Sequence, residues 1–100
     1  MIHVIAVITA KAGKRSELLD AFSKIVPTVH DEKGCIAYEP VIDADGAGDM
    51  QTKLGDDTFV VVEKWRSMHD LNAHSASSHM AQYAKTAGHL VADRKIHVLT

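Results

Sequence analysis

The chain has 100 residues, 46% of them hydrophobic and 24% charged, with a formal net charge of −2 and one cysteine. This size and composition predict a single domain over residues 1–100. The slightly acidic balance lacks the basic patch typical of nucleic-acid-binding proteins, and no apolar run approaches the roughly 20 residues of a membrane span. The lone Cys35 cannot form an internal disulfide and favours a reducing compartment. We therefore expect a cytoplasmic protein with neither a nucleic-acid nor a membrane partner.

The first half of the chain predicts a strand, a helix and a second strand. Residues 2–10 are apolar at both alternating sets of positions, as in a strand with two covered faces. Residues 15 to about 33 carry an apolar stripe at helical spacing. Pro27 lies inside this stripe and is expected to kink or divide the helix, and Gly34 is expected to end it. A second strand is predicted over residues 35–42.

The second half begins with a polar, glycine-rich connection over residues 43–57, which is long for a hairpin. A third strand is predicted over residues 58–66, followed by a helical region over residues 67–90. The run of small residues at 75–78 weakens this region and offers caps for a second helix. The last strand is predicted over residues 95–99.

The resulting β-α-β-β-α-β order is that of a ferredoxin-like α+β fold with an antiparallel sheet. Two helices cover only one face of such a sheet. The strands at 2–10 and 58–66 are apolar on both faces, so the second face would expose a large apolar patch on a monomer. We therefore predict a homodimer in which two copies pack through their sheet faces.

Three side chains on the second and third strands are candidates for a ligand cavity. Glu63 shares a strand face with apolar residues, so its carboxylate must be paired, hydrogen-bonded or protonated. The alternative to a catalytic role is a structural one, in which the carboxylate bonds to a helix hydroxyl or imidazole. Trp65 is either a core residue or the flat wall of a slot for an aromatic ligand. Tyr38 either aims its hydroxyl at the same cavity or fills the core.

Two histidines in the helical region are candidate bases. His74 shares a helix face with Leu71 and is expected to line the cavity. His79 falls at the start of a helix, where the dipole disfavours imidazolium and favours a neutral, proton-accepting ring. A surface histidine is the open alternative for His79. The two lie five residues apart rather than three or four, and no third ligand is evident, so we expect no metal site.

These positions also carry a resemblance to a known family. It rests on acidic, aromatic and histidine residues at matching spacing: Glu63-x-Trp65, Leu71-x-x-His74, Ser77-x-His79 and, upstream, Gly34-Cys35-x-x-Tyr38-Glu39. The series resembles the antibiotic biosynthesis monooxygenase family, including its quinol monooxygenase-like members. The likeness extends over residues 4–98, and it implies a dimeric α+β barrel.

For function, the resemblance implies oxidation of a small quinol or polyphenol-like aromatic by O₂ with no flavin, haem or metal cofactor. An electron-rich phenolate can itself reduce oxygen, so the protein needs a dry pocket, a base and a fitting shape. His74 or His79 would be the base, Tyr38 a hydrogen-bond partner and Trp65 a wall. Glu63 would orient an imidazole or hold the helix.

Other functions remain as alternatives. Haem-degrading relatives carry an asparagine in the first strand and a histidine ten residues beyond the position of His74, and this chain has neither. An isomerase of a small carbonyl compound would use the same base and acid pair. A dimeric ligand-binding protein without catalysis is the third alternative.

Overall fold

The chain forms four strands and three helices in the computed structural model, which describes residues 1–100. The elements are β1 (Ile2–Ala10), α1 (Arg15–His30), β2 (Cys35–Val41), β3 (Thr58–Trp65), α2 (Met68–Ser75), α3 (Ser78–Ala87) and β4 (Val91–Leu99). Two single 3₁₀ turns lie at Gly48–Met50 and Gly88–Leu90. The predicted α+β, ferredoxin-like order is confirmed, with the second helical region divided into α2 and α3. None of the helices is both long enough and apolar enough to span a membrane.

The four strands form one antiparallel sheet in the order β2-β3-β1-β4. Because side chains alternate along a strand, one face of β1 presents Val4, Ala6 and Ile8 to the helices. These three are 2%, 3% and 8% exposed and belong to the hydrophobic core. Opposite Val4, the register places Glu63 of β3 on this helix-covered face.

The other sheet face carries an apolar patch at its centre. Ile5 pairs with Val62, and Val7 pairs with Val60, across β1 and β3. Alternation directs all four side chains away from the helices. β1 and β3 therefore have apolar side chains on both faces of the sheet, as predicted.

The end of α1 differs from the prediction. The helix ends at His30, where the backbone N–H of Asp31 caps it, and so ends four residues before Gly34. Gly34 instead lies directly before β2 with a φ of +80°, a conformation that glycine adopts without penalty. Pro27 lies inside α1 without dividing it. A proline removes only one backbone donor, and the hydrogen bonds of the neighbouring residues keep the helix in one piece.

The last strand begins four residues earlier than predicted. β4 starts at Val91 and pairs with β1 from His3↔Leu99 to Ala10↔Val91. Its first half is an apolar pair, Val91 and Ala92, followed by the charged Asp93 and Arg94, and shows no hydrophobic alternation. The start of β4 is therefore set by its pairing with the long central strand β1 and not by its own hydrophobic pattern.

The break between α2 and α3 positions the two candidate histidines. Ser77 caps α3 by accepting a hydrogen bond from the backbone N–H of Met80 at 3.4 Å, and Ser67 caps α2 in the same way. His74 therefore lies in the last turn of α2 and His79 in the first turn of α3. This cap and the division of the helical region confirm the prediction from the small residues at 75–78.

Candidate active site

A cavity of about 570 Å³ lies between the helix-covered face of the sheet and the helices. Thirteen of its 18 lining residues are hydrophobic, with Tyr38 and Tyr83 counted among them. The polar groups that reach it are few: Tyr38 from β2, Glu63 from β3, His74 and Ser75 from α2, Tyr83 from α3 and Arg94 from β4. An apolar space with a few convergent polar groups is the usual form of a small-molecule site.

Glu63 and Trp65 form a buried pair on one strand face. The indole Nε1 of Trp65 donates a hydrogen bond to Glu63 Oε1 at 3.0 Å, and the two residues are 0% and 6% exposed. Burial raises the pKa of the Glu63 carboxyl, while the Trp65 hydrogen bond and nearby His74 act in the opposite direction. The prediction that Glu63 bonds to a helix hydroxyl or imidazole was wrong. Its partner is Trp65, two residues along the same strand face. Trp65 itself does not line the cavity.

His74 is held on three sides. Its ring centroid lies 4.7 Å from that of Trp65 and 5.3 Å from that of Tyr38. Its Nδ1 lies 2.7 Å from Oε2 of Glu32. Since a carboxylate only accepts hydrogen bonds, Nδ1 carries a proton, and in the neutral form of the ring the lone pair is on Nε2.

The free nitrogen of His74 faces the cavity. No protein atom bonds to Nε2, yet no fully buried side-chain nitrogen or oxygen lacks a partner, so Nε2 has accessible surface. His74 is 5% exposed and lines the cavity, and its Nδ1 is turned to Glu32, which does not line it. We infer that the accessible surface of Nε2 opens on the cavity. The ring can accept a proton from a bound molecule at this position.

Tyr38 presents a neutral hydroxyl to the same space. The side chain is 3% exposed, lines the cavity and stacks on Phe22 with ring centroids 5.4 Å apart. Its hydroxyl has no protein partner and, by the same reasoning, is accessible from the cavity. Burial first, then the nearby Glu63, raises the pKa of Tyr38 well above that of a free phenol. The hydroxyl therefore stays protonated and serves as a hydrogen-bond donor.

Glu32 connects the two histidines, and sequence reasoning missed it. Its Oε2 lies 2.7 Å from His74 Nδ1 and 3.1 Å from His79 Nε2. Glu32 lies in the turn between α1 and β2, 42 residues from His74 in sequence. No motif marks a single acid in a turn, so local pattern held no signal for it.

His79 reaches the site only through Glu32. Its Nε2 also lies 3.2 Å from Ser77 Oγ, its side chain is 29% exposed, and it does not line the cavity. Of the five residues proposed from sequence, the cavity is lined by Tyr38, Glu63 and His74. Trp65 packs behind His74.

Comparison with known proteins places this architecture among related chains. The family model described as antibiotic biosynthesis monooxygenase matches residues 1–86. The probable quinol monooxygenase YgiN of Escherichia coli (strain K12) is 38% identical over 101 residues, covering 99% of this chain and 96% of that protein.

Solved structures agree. Rv0793 from Mycobacterium tuberculosis superposes with a TM-score of 0.79 at 26% identity, covering 99% of this chain and 92% of that one. PA3566 from Pseudomonas aeruginosa gives a TM-score of 0.79 at 24% identity, covering 98% and 90%, and bears on the fold alone.

Proposed function

The chain belongs to the antibiotic biosynthesis monooxygenase family, and we propose that it is a cofactor-independent monooxygenase oxidising a quinol or polyphenol-like aromatic with O₂. The observation that carries this proposal is the pairing of His74 with Glu32 at the wall of an apolar cavity. The pairing leaves a proton-accepting ring nitrogen in a space suited to one aromatic molecule. The cavity volume, about 570 Å³, lies within the usual range for small-molecule sites, roughly 300–1,000 Å³.

The proposed reaction balances without an added reductant. A hydroquinone and one O₂ together contain the atoms of one hydroxyquinone and one water. One oxygen atom becomes the new ring hydroxyl, and the other leaves as water with two hydrogens from the substrate. The substrate supplies all the electrons, so the protein's task is to make the phenolate, hold it and exclude bulk water.

In this mechanism His74 is the base. Its Nε2 takes the phenolic proton, and Glu32 holds the ring by its Nδ1–H and stabilises the imidazolium that forms, as the carboxylate does in catalytic triads. The neutral Tyr38 hydroxyl donates a hydrogen bond to a substrate oxygen. Trp65, fixed by Glu63, packs against the imidazole and limits its rotation. His79 holds Glu32 from the other side.

Oxygen uptake with a panel of hydroquinones, measured on chelator-treated protein, tests the proposal. We expect uptake that falls about 100-fold or more in His74→Ala, the usual contribution of a general base. His69→Ala is the matched control, because His69 is exposed on the same helix and should leave uptake unchanged. Loss of uptake in His79→Ala but not in His74→Ala would assign the base to His79.

Two further measurements separate the alternatives. His74 and Tyr38 form a base and acid pair within one cavity, which is also what enolisation of a carbonyl compound requires. Turnover of a small ketone without oxygen consumption would favour the isomerase. Binding of aromatics without any turnover would favour a non-catalytic ligand-binding protein.

The proposed enzyme is a homodimer through its sheet faces. The support is the patch of Ile5, Val7, Val60 and Val62 on the face opposite the helices. A second copy of the same face is self-complementary and covers it. The mass in solution at micromolar concentration should be twice that of the chain, and Val62→Asp should reduce it to one chain. A wild-type monomer would contradict this.

Cytoplasmic residence is part of the same proposal. The only cysteine, Cys35, is a free thiol, as expected in a reducing compartment. Cell fractionation that recovered the protein outside the cytoplasm would contradict it.

A further inference from the structure

Glu32, His74 and His79 bring three metal-ligating atoms together. Glu32 Oε2, His74 Nδ1 and His79 Nε2 all lie within 4.8 Å of one another. Two imidazoles and one carboxylate form a common ligand set for zinc and for other divalent transition metals. The spacing argument from the sequence assumed two ligands on one helix. The break between α2 and α3 and the arrival of Glu32 from a distant turn remove that assumption.

The geometry is close to that of a three-ligand site. Ligand atoms bound tetrahedrally at about 2.0–2.2 Å from an ion are separated by roughly 3.3–3.6 Å. The two distances from Glu32 Oε2 are 2.7 Å to His74 and 3.1 Å to His79. The third pair, His74 Nδ1 and His79 Nε2, lies within 4.8 Å. Side-chain rotations that lengthen the two contacts of Glu32 and bring the two imidazole nitrogens to a similar separation would admit an ion.

The cluster is open to solvent independently of the cavity. The side chains of Glu32 and His79 are 15% and 29% exposed, whereas His74 is 6% exposed. Glu32 and His79 are not cavity-lining residues. An ion can therefore reach the cluster while a ligand occupies the cavity.

We propose that Glu32, His74 and His79 bind a divalent transition-metal ion such as Zn²⁺, and that the bound ion prevents His74 from accepting a proton in the cavity. The first half stands on the ligand geometry alone. The second half rests on the proposed role of His74 as base. The ion is thus a reversible inhibitor and not a cofactor.

The chemistry follows from the single proton of a neutral imidazole. Without metal, His74 carries that proton on Nδ1, where Glu32 accepts it, and the lone pair on Nε2 faces the cavity. A metal bound to Nδ1 uses the lone pair there, so the proton must move to Nε2. The ring stays neutral, but its cavity-facing nitrogen is now a donor. On His79 the proton moves in the opposite sense, from Nε2 to the outer Nδ1.

Zinc titration by calorimetry tests the site. We expect one Zn²⁺ per chain in the wild type and an affinity at least about tenfold lower in Glu32→Gln and in His79→Gln, since even changes beyond the ligands cost 10–100-fold. Circular dichroism checks that both variants are folded. We expect them to fold, because the side chains of Glu32 and His79 are partly exposed. His69→Gln, which removes an exposed histidine of α2, should bind zinc as the wild type does. Equal affinity in the wild type and both ligand variants would overturn the site.

A second readout follows the His74 ring itself. Nitrogen-15 NMR should show the proton on Nδ1 without zinc and on Nε2 with one equivalent of zinc. A proton that stays on Nδ1 at saturation would overturn the ligand role of His74. Oxygen uptake, if the proposed function holds, should fall with the same zinc midpoint as the titration, and uptake unaffected at saturation would overturn the inhibition. Absence of uptake without zinc would contradict the proposed function, while titration and NMR would still decide the site.

Discussion

Oε2 of Glu32 lies 2.7 Å from Nδ1 of His74, although 42 residues separate the two in sequence. This contact sets which nitrogen of the imidazole carries the proton and which one faces the cavity. The first prediction follows directly from it.

Replacing Glu32 with glutamine keeps the size of the side chain but removes the charge that stabilises a protonated His74. Its amide can also turn its NH₂ towards Nδ1, which would place the imidazole proton on the cavity side. We expect Glu32→Gln to lower kcat for quinol oxidation by at least about tenfold, with little change in KM, since Glu32 does not line the cavity. Steady-state oxygen uptake measures both. A raised KM at unchanged kcat would show that Glu32 shapes substrate binding instead.

The buried carboxyl of Glu63 predicts a pH dependence of stability. Its pKa is raised by burial from the ordinary value of 4.5, so the folded protein holds this proton more tightly than the unfolded chain. Stability from this group is present below pH 4.5 and is lost as the pH rises through the folded-state value. Glu63→Gln should therefore gain stability relative to the wild type as the pH rises from 4 to 7. Urea unfolding at several pH values measures it, and a constant difference would contradict it.

Trp65 is predicted to stabilise the fold through volume and through one hydrogen bond. The ring is 0% exposed, so Trp65→Ala should lower the free energy of unfolding by about 3–5 kcal/mol. Trp65→Phe keeps most of the apolar volume but removes the donor to Glu63. In the background of Glu63→Leu, which removes the acceptor, the cost of Trp65→Phe should shrink. An unchanged cost in urea unfolding would show that the hydrogen bond contributes nothing.

Gly34 is predicted to be intolerant of a side chain for two separate reasons. Its φ is +80°, and an added Cβ would overlap the side chain of Asp70. Gly13 is the matched control, because its φ is +75° and an added Cβ there meets no atom within 4 Å. Gly13→Ala should cost about 1–2 kcal/mol from the backbone conformation alone, and Gly34→Ala should cost more. Equal costs in urea unfolding would show that Asp70 moves aside freely.

Most of the framework follows from local sequence. Alternation on both faces of 2–10 and 58–66 predicted β1 and β3 and their apolar surfaces, because strand side chains repeat every two residues whatever the partner strand is. The run of small residues at 75–78 predicted caps for a second helix, because a cap is a contact between near neighbours. The spacing of the series Glu63-x-Trp65, Leu71-x-x-His74 and Ser77-x-His79 indicated the family.

Tertiary structure alone decided the arrangement of the candidate site. Glu32 reaches His74 and His79 across more than 40 residues, and such a contact depends on how α1 and β2 pack beside α2 and α3, which no local pattern encodes. Burial likewise selected Trp65 as the partner of Glu63, since a buried carboxylate takes the nearest donor that packing leaves within reach. The residue types that can do the chemistry are therefore evident along the sequence. Which nitrogen faces the cavity is set by packing between distant segments.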